Sequence, residues 1–282
     1  MIDALPRLQD DGLFTPDVGI WGEFKYRVMA NYSSMFASSM KGKWDCRVYI
    51  DLFAGAGRAQ IEGTSQIVAG SPFIALGVKD PFDKYIFCEE NPECFAALRQ
   101  RVAAHASDRD VTLIDGNCND RIADIINAVP APRAGFKVLS FCFVDPFNIG
   151  NLHFETIRRL SALYIDFLVL IATHMDANRN PAAYVAPDNT TIADFLGDTA
   201  WRESWKAVEV KGERFGLFVA DAFGQQMKAM NYKYNGLGDM FLVRNKEKNA
   251  PLYHLALFSR SDLANKFWKE ARKYSKDQLD LF

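Results

Sequence analysis

The chain has 282 residues, with 33 Lys and Arg against 35 Asp and Glu, for a formal net charge of −2. Its composition, 49% hydrophobic and 24% charged with a mean hydropathy of −0.12, excludes a disordered, collagen-like or disulfide-framework polypeptide. Charge this close to neutral also argues against a coat-like nucleic-acid binder, and the length allows one large domain or two small ones.

Residues Met1 to Gln9 carry Asp3 and no long apolar run, so no secretory leader is expected. Gly22 to Met40 predicts a helical amino-terminal extension, residues 1–45, ahead of a main domain spanning 46–276. Val48 to Phe53 reads as a buried strand that ends in the turn Ala54-Gly55-Ala56-Gly57. Ser71-Pro72 opens a helix to about Val78, with Ser71 as its N-cap. Lys84 to Cys88 is a second strand, and Pro92 to Ala104 a helix with Phe95, Leu98 and Val102 on one apolar face. Val111 to Ile114 is a third strand and Asp120 to Val129 a third helix, stopped by Pro130. Lys137 to Val144 is a continuous apolar strand running into Asp145-Pro146-Phe147, Phe154 to Ala162 a helix, and Ile165 to Ala172 a fifth central strand. Alternation of this kind predicts a mostly parallel sheet covered by helices.

From Thr173 to Ala200 the chain turns polar and rich in Pro and Asn, predicting loop and one short helix at the start of a helical insert, 173–235. Arg214 to Met230 predicts a long helix. Met240 to Val243 and Tyr253 to Phe258, around the charged Arg244-to-Pro251 turn, predict an antiparallel hairpin. A basic helix, Asp262 to Tyr274, closes the fold. The most apolar stretch, Leu163 to Ala172, is interrupted by Asp166 and far shorter than the ~20 residues that cross a bilayer, so no membrane span is expected. The cysteines (Cys46, Cys88, Cys94, Cys118, Cys142) are odd in number and lack C-x-x-C spacing. Neither a metal site nor a disulfide framework is expected, and the reading is a cytoplasmic protein of a reducing compartment.

A Gly-x-Gly turn directly after a central strand lets backbone approach a nucleoside without interference from Cβ. Here Asp51 to Gly57 supplies it, although the third glycine of a dinucleotide fingerprint is replaced by Gln60. Glu89, after the second strand, is placed to accept both ribose hydroxyls; the alternative is a solvated strand-end carboxylate.

These residues resemble class I S-adenosylmethionine-dependent methyltransferases. The resemblance rests on Asp51 to Gly57, on Glu89-Glu90-Asn91-Pro92 and on Gly116-Asn117-Cys118 after the third strand, and covers about residues 46–276. It implies a Rossmann-like α/β fold, a mostly parallel seven-stranded sheet with an antiparallel carboxyl-terminal hairpin. It also implies an S-adenosylmethionine site at Asp51, Phe53, Ala54, Gly55, Gly57, Glu89, Asn117 and Cys118. Asn117 stands where the family usually has an Asp beside the adenine amino group. A narrower resemblance is to the three-Cys-motif partner (TcmP) family. It is carried by Tyr49 to Gly55, the long loop from Arg58 to Gly70-Ser71-Pro72, Val144-Asp145-Pro146-Phe147 and Pro251-Leu252-Tyr253. That family implies a partner protein with three motif cysteines and leaves the reaction unassigned.

Asp145-Pro146-Phe147-Asn148 sits where amino-methyltransferases carry Asp/Asn-Pro-Pro-aromatic. There the acid and the proline carbonyl accept the N–H bonds of the target and an aromatic ring stacks on the base, catalysis by positioning. In this chain Phe147 arrives one place early and Asn148 takes the aromatic position; the alternative is a strand-end turn stabilised by Asp and Pro. Methylation at cytosine C5 fits poorly, because that reaction uses a Pro-Cys nucleophile and the chain has no Pro-Cys. His174 follows the fifth strand as a candidate base or loop residue, and Arg58 and Arg179 are candidate anion contacts or surface cations. Trp21, Phe24 and Tyr26 would lid the pocket or pack the helix.

Charge is uneven. Between Gln225 and Lys276 eleven Lys and Arg face four acids, a local +7 against −9 for the rest, which suits phosphate tracking or a solvated face. The tail 277–282 ends in Gln278-Leu279-Asp280-Leu281-Phe282, which resembles the bacterial sliding-clamp-binding pentapeptide, or folds back on the core. Together these features predict a methyltransferase acting on an amino group of a nucleic acid, DNA before RNA. A small-molecule or protein methyltransferase and a non-catalytic cofactor-binding partner stand as alternatives.

Overall fold

The computed structural model describes residues 7–19, 22–173, 181–244 and 250–276. Trp21, His174, Arg179 and the peptide Gln278 to Phe282 lie outside the described residues.

Two very short strands, β1 (Arg7–Leu8) and β2 (Asp17–Val18), precede helix α1 (Gly22–Met40). Then come β3 (Cys46–Asp51), β4 (Arg58–Ile61), β5 (Ile67–Ala69), α2 (Ser71–Leu76), β6 (Lys84–Glu89), α3 (Pro92–His105), β7 (Val111–Asp115) and α4 (Ile122–Ala128). The chain continues through β8 (Val138–Val144), α5 (Phe154–Leu160) and β9 (Ile165–Ile171). Four helices follow: α6 (Pro181–Val185), α7 (Thr191–Leu196), α8 (Trp201–Glu209) and α9 (Phe215–Ala229). The hairpin β10 (Phe241–Arg244) and β11 (Pro251–Phe258) and helix α10 (Asp262–Lys276) end it.

Seven strands form one sheet in the order β10-β11-β9-β8-β3-β6-β7. The pairs of β3 with β6 and β8, and of β6 with β7, are parallel; β11 runs antiparallel to β9 and β10. Strands covered on both faces are rich in apolar residues, and β3 and β9 are buried along their whole length, Arg47, Asp51 and Asp166 included. The hairpin expected near the end of the chain is present: β10 is shifted one residue toward the turn, to Phe241–Arg244, and β11 begins two residues earlier, at Pro251.

Contacts divide the chain into two units. The first comprises residues 1–143, 163–166 and 262–282. Its interior is aromatic: Tyr32 of α1 lies 5.1 Å from Phe141, and Tyr49 of β3 lies 5.4 Å from Phe82, ring centre to ring centre. Helix α1 packs against both α2 and α10. The second unit comprises 144–162 and 167–261, and its core stacks Phe195 of α7 on Phe223 of α9 at 4.9 Å.

Several local expectations change. Gly70, not Ser71, is the N-cap of α2, so Ser71 is the first helical residue and Pro72 the second. In α3 the buried stripe is Cys94, Ala97, Leu98, Arg101 and Val102, with Phe95 only half-buried. The loop from Arg58 to Gly70 is a β-hairpin, β4 with β5. Together with β1 and β2 it makes a second, four-stranded sheet in the order β1-β5-β4-β2. The polar stretch after Thr173 holds two short helices among its described residues, and α8 was not expected. Helix α8 was hidden by its charge; its buried side chains are Trp201 and Trp205, one turn apart.

Candidate cofactor site

The turn after β3 is anchored to the strand on each side. Leu52 N–H donates to the Phe143 carbonyl on β8 at 3.2 Å, and Ala54 N–H to the Cys88 carbonyl on β6 at 2.9 Å. Asp51, wholly buried, accepts from the Tyr49 hydroxyl at 3.2 Å and from Phe53 N–H at 3.3 Å. Residues two apart on a strand share a face, which puts tyrosine and aspartate side by side. Burial, then the Asp51 charge, pushes the Tyr49 hydroxyl well above its ordinary range, so it stays a donor.

Gly55 and Gly57 both hold positive φ, +60° and +78°. A Cβ on Gly57 would come within 2.7 Å of the Phe73 ring, whereas a Cβ on Gly55 would meet no atom within 4 Å. The first glycine therefore faces open space and the second closes against α2. Gly70 N–H returns to the Gly57 carbonyl at 2.9 Å and shuts the base of the β4–β5 hairpin.

Glu89 ends β6 and is buried. One carboxylate oxygen accepts from Gly55 N–H at 2.6 Å, the other from Asn91 N–H at 2.7 Å. Burial raises its pKa above the ordinary 4.5, opposed by those two backbone donors. The Asn91 side chain accepts from the N–H groups of Glu93 and Cys94, each at 3.0 Å, and so starts α3 as its N-cap. On the next strand Asp115 pairs in register with Glu89, and Gly116 N–H donates to the Glu89 carbonyl at 3.0 Å. Asn117 Nδ2 donates to Glu90 at 2.7 Å, while its Oδ1 accepts from Asn119 N–H at 2.9 Å. Cys88 Sγ–H points to the Gly116 carbonyl at 3.2 Å, its thiol pushed up to about 12 by burial. Cys118 is buried beside this turn and its thiol is likewise raised by burial. All five cysteines are buried and free. Asp51, Gly55, Glu89 and Asn117 thus lie on adjoining turns at the carboxyl ends of β3, β6 and β7, linked by backbone and side-chain hydrogen bonds.

Asp145, Pro146, Phe147 and Asn148 belong to the second unit and directly follow β8. Asp145 is half-buried and Pro146 buried, while Phe147 is 94% exposed. Asn148 caps the 3-10 turn Ile149–Asn151 in a reciprocal box, its N–H on Asn151 Oδ1 at 3.0 Å. Its side chain therefore has a local backbone role.

Other expectations fail on geometry. Arg58 is neither a free anion contact nor a surface cation: only 13% of its side chain is exposed, and it holds Asp11 at 3.2 Å and the Gln9 carbonyl at 2.8 Å. Phe24 and Tyr26 are buried in α1, in keeping with the packing alternative. The basic carboxyl-terminal stretch does not form one element: Lys228, Lys233, Arg244 and Arg260 belong to the second unit, Lys266 and Lys269 to the first. Arg260 stacks on Tyr232 at 4.3 Å and donates to the Ser161 carbonyl. Sequence reasoning passed over Arg101, the most deeply buried cation among the described residues of the first unit, and the buried pair Thr173–His254, 3.3 Å apart in the second. Arg101 had a legible signal: it falls seven residues after Cys94, on the apolar stripe of α3.

No family model matches the sequence, and no curated protein matches it either. The main sheet has the expected Rossmann-like form, mostly parallel with an antiparallel carboxyl-terminal hairpin at one edge. Among solved structures the chain is similar to precorrin-6y C5,15-methyltransferase from Geobacter metallireducens GS-15, with 14% identity, 90% of this chain and 97% of that one covered, and a TM-score of 0.42. It is similar to protein LPL1258 of Legionella pneumophila str. Philadelphia 1, with 12% identity, 64% and 76% covered, and a TM-score of 0.43. It is also similar to Rv0187 from MTB, solved with a cofactor bound, with 14% identity, 83% and 80% covered, and a TM-score of 0.39. No described helix is long and apolar enough to cross a membrane.

Proposed function

We propose that the chain is an S-adenosylmethionine-dependent methyltransferase. The observation that carries this reading is the Glu89 carboxylate, buried at the end of β6 and hydrogen-bonded to the backbone of Gly55. The residues fit the cofactor: space in front of Gly55, a carboxylate to accept from two ribose hydroxyls, and Asn117 beside Glu90 to meet the adenine amino group. Cofactor bound there supplies an electrophilic methyl group on a sulfonium. The chain's part is to hold and orient: Asp51 fixes the turn through Phe53 N–H, Phe53, Ala54 and Gly57 shape it, and Cys118 is buried beside the turn after β7.

The acceptor we propose is an amino group on a nucleic acid, with DNA favoured. Asp145 and the Pro146 carbonyl would accept the N–H bonds of the target and aim its lone pair at the methyl. Phe147, an exposed aromatic ring in the same turn, supports a planar acceptor. Gln278 to Phe282 would dock on a sliding clamp, and a three-Cys-motif protein would be a partner, as the resemblance to the TcmP family implies. A second reading, a cofactor-binding scaffold without turnover, is favoured by Asn148, whose side chain is committed to capping.

Calorimetric titration with S-adenosylmethionine tests the first step: wild type binds and Glu89→Ala does not. Transfer of labelled methyl to DNA, RNA or small-molecule and protein fractions of an extract then assigns the acceptor. Binding with silence in all of these supports the scaffold. A clamp pull-down that is unchanged when 278–282 are deleted removes the docking peptide.

A further inference from the structure

Arg101 lies on the buried stripe of α3 with none of its side chain exposed. A buried guanidinium needs partners for its whole fork, and this one has them. Nε and Nη2 grip the Asp11 carboxylate at 2.8 and 2.7 Å. Nη2 also donates to the Thr15 hydroxyl at 2.8 Å and to the Leu13 carbonyl at 3.3 Å. Nη1 donates to the Phe14 carbonyl at 3.0 Å and, at 2.7 Å, to the carbonyl of Ala56. Ala56 is the residue between the two glycines of the turn.

We infer that Arg101 and Asp11 are positioning residues of the cofactor turn, and that the segment 9–15 is a strap whose docking sets the turn's geometry. The inference rests on the methyltransferase reading above. The peptide bond is planar and trans, so its C=O and N–H point in opposite directions. Holding the Ala56 carbonyl on Arg101 therefore aims Gly57 N–H away from the guanidinium and removes the freedom that two adjoining glycines would give the turn. The same guanidinium is saturated only while the strap is in place. Arg58 adds a second cation to Asp11, Leu13 packs on Ala56, Cys94 and Ala97, and β1 and β2 pair the strap's flanks with β5 and β4. Turn and strap thus share one donor group. Coupling of this kind is reciprocal: whatever stabilises the turn protects the strap, and loosening the strap weakens what the turn binds.

The test is S-adenosylmethionine affinity of Asp11→Asn, measured by calorimetry well below its melting temperature, with amide hydrogen exchange of residues 9–15 in the wild type with and without cofactor. Arg47→Lys is the structural control; Arg47 grips Asp83 and the Ala37 and Pro81 carbonyls away from the turn. The expected result is affinity weakened about tenfold or more in Asp11→Asn, unchanged affinity with a lowered melting temperature in Arg47→Lys, and slowed exchange at 9–15 on saturation. Unchanged affinity in folded Asp11→Asn, or exchange at 9–15 indifferent to saturating cofactor, overturns the inference and leaves the methyltransferase reading standing. If Asp11→Asn does not fold, the wild-type exchange decides alone. Absence of any binding to the wild type overturns both.

Discussion

In the proposed cofactor site Glu89 would join two demands in one carboxylate: ionised to accept from two hydroxyls, while burial favours its protonated form. Cofactor affinity is therefore expected to fall as pH drops, with its midpoint above 4.5, and calorimetry across that window checks it. The stability of the cofactor-free protein should move the other way. A carboxyl whose folded pKa is raised binds more protons folded than unfolded, so stability declines as pH rises through the same window. Asp11 behaves oppositely. Arg101 holds its pKa at about 2, so its contribution is present above the ordinary 3.8 and is lost as pH falls through 2. Gly57→Ala combines a positive φ with a ring 2.7 Å away and should cost about 2–5 kcal/mol in a urea melt. Gly55→Ala, facing open space, should cost only the backbone penalty, about 1–2 kcal/mol. At this scale the residues of the turn, Glu89 and Asn117 were legible, because each sits at a fixed offset from an apolar strand. Arg101 was passed over because a cation in a helix is ordinarily read as its solvent face, and only position within the stripe says otherwise.

The elements of the main sheet were readable because most of their strands are short runs rich in apolar, β-branched and aromatic residues. The second sheet was not: β1 and β2 have two residues each and β5 three, too few for a period of two to register. What holds them is pairing with strands distant in sequence, which no window along the chain displays. Helix α10 shows the reverse case, a strongly basic segment that still docks. Ala264, Trp268 and Ala271 form its buried stripe, and the helix packs on α1. Trp268→Ala should cost about 3–5 kcal/mol, seen as a lower denaturation midpoint with an unchanged slope. Lys266→Ala and Lys269→Ala, on exposed positions of the same helix, should stay within about 0.5 kcal/mol of wild type.

For the whole molecule, a cofactor that binds only the folded chain must stabilise it. At a hundred times its dissociation constant the gain is about 2.7 kcal/mol, or roughly 5–10 °C for a chain of this size. A thermal melt with S-adenosylmethionine is expected to show that shift in the wild type and none in Glu89→Ala. The net charge of −2 concealed a basic segment and an acidic remainder, and the structure divides the basic residues between two units, so neither total describes a face. The strap has one further consequence, for biogenesis. Residues 7–18 leave the ribosome before their strand partners at 58–69 and their anchoring guanidinium at 101. Some ninety residues must emerge before this segment can settle. Until then it is an extended, unsaturated stretch waiting on downstream chain, and contacts of such long sequence separation form late. The segment synthesised ahead of the glycine turn is thus among the last to be fixed upon it.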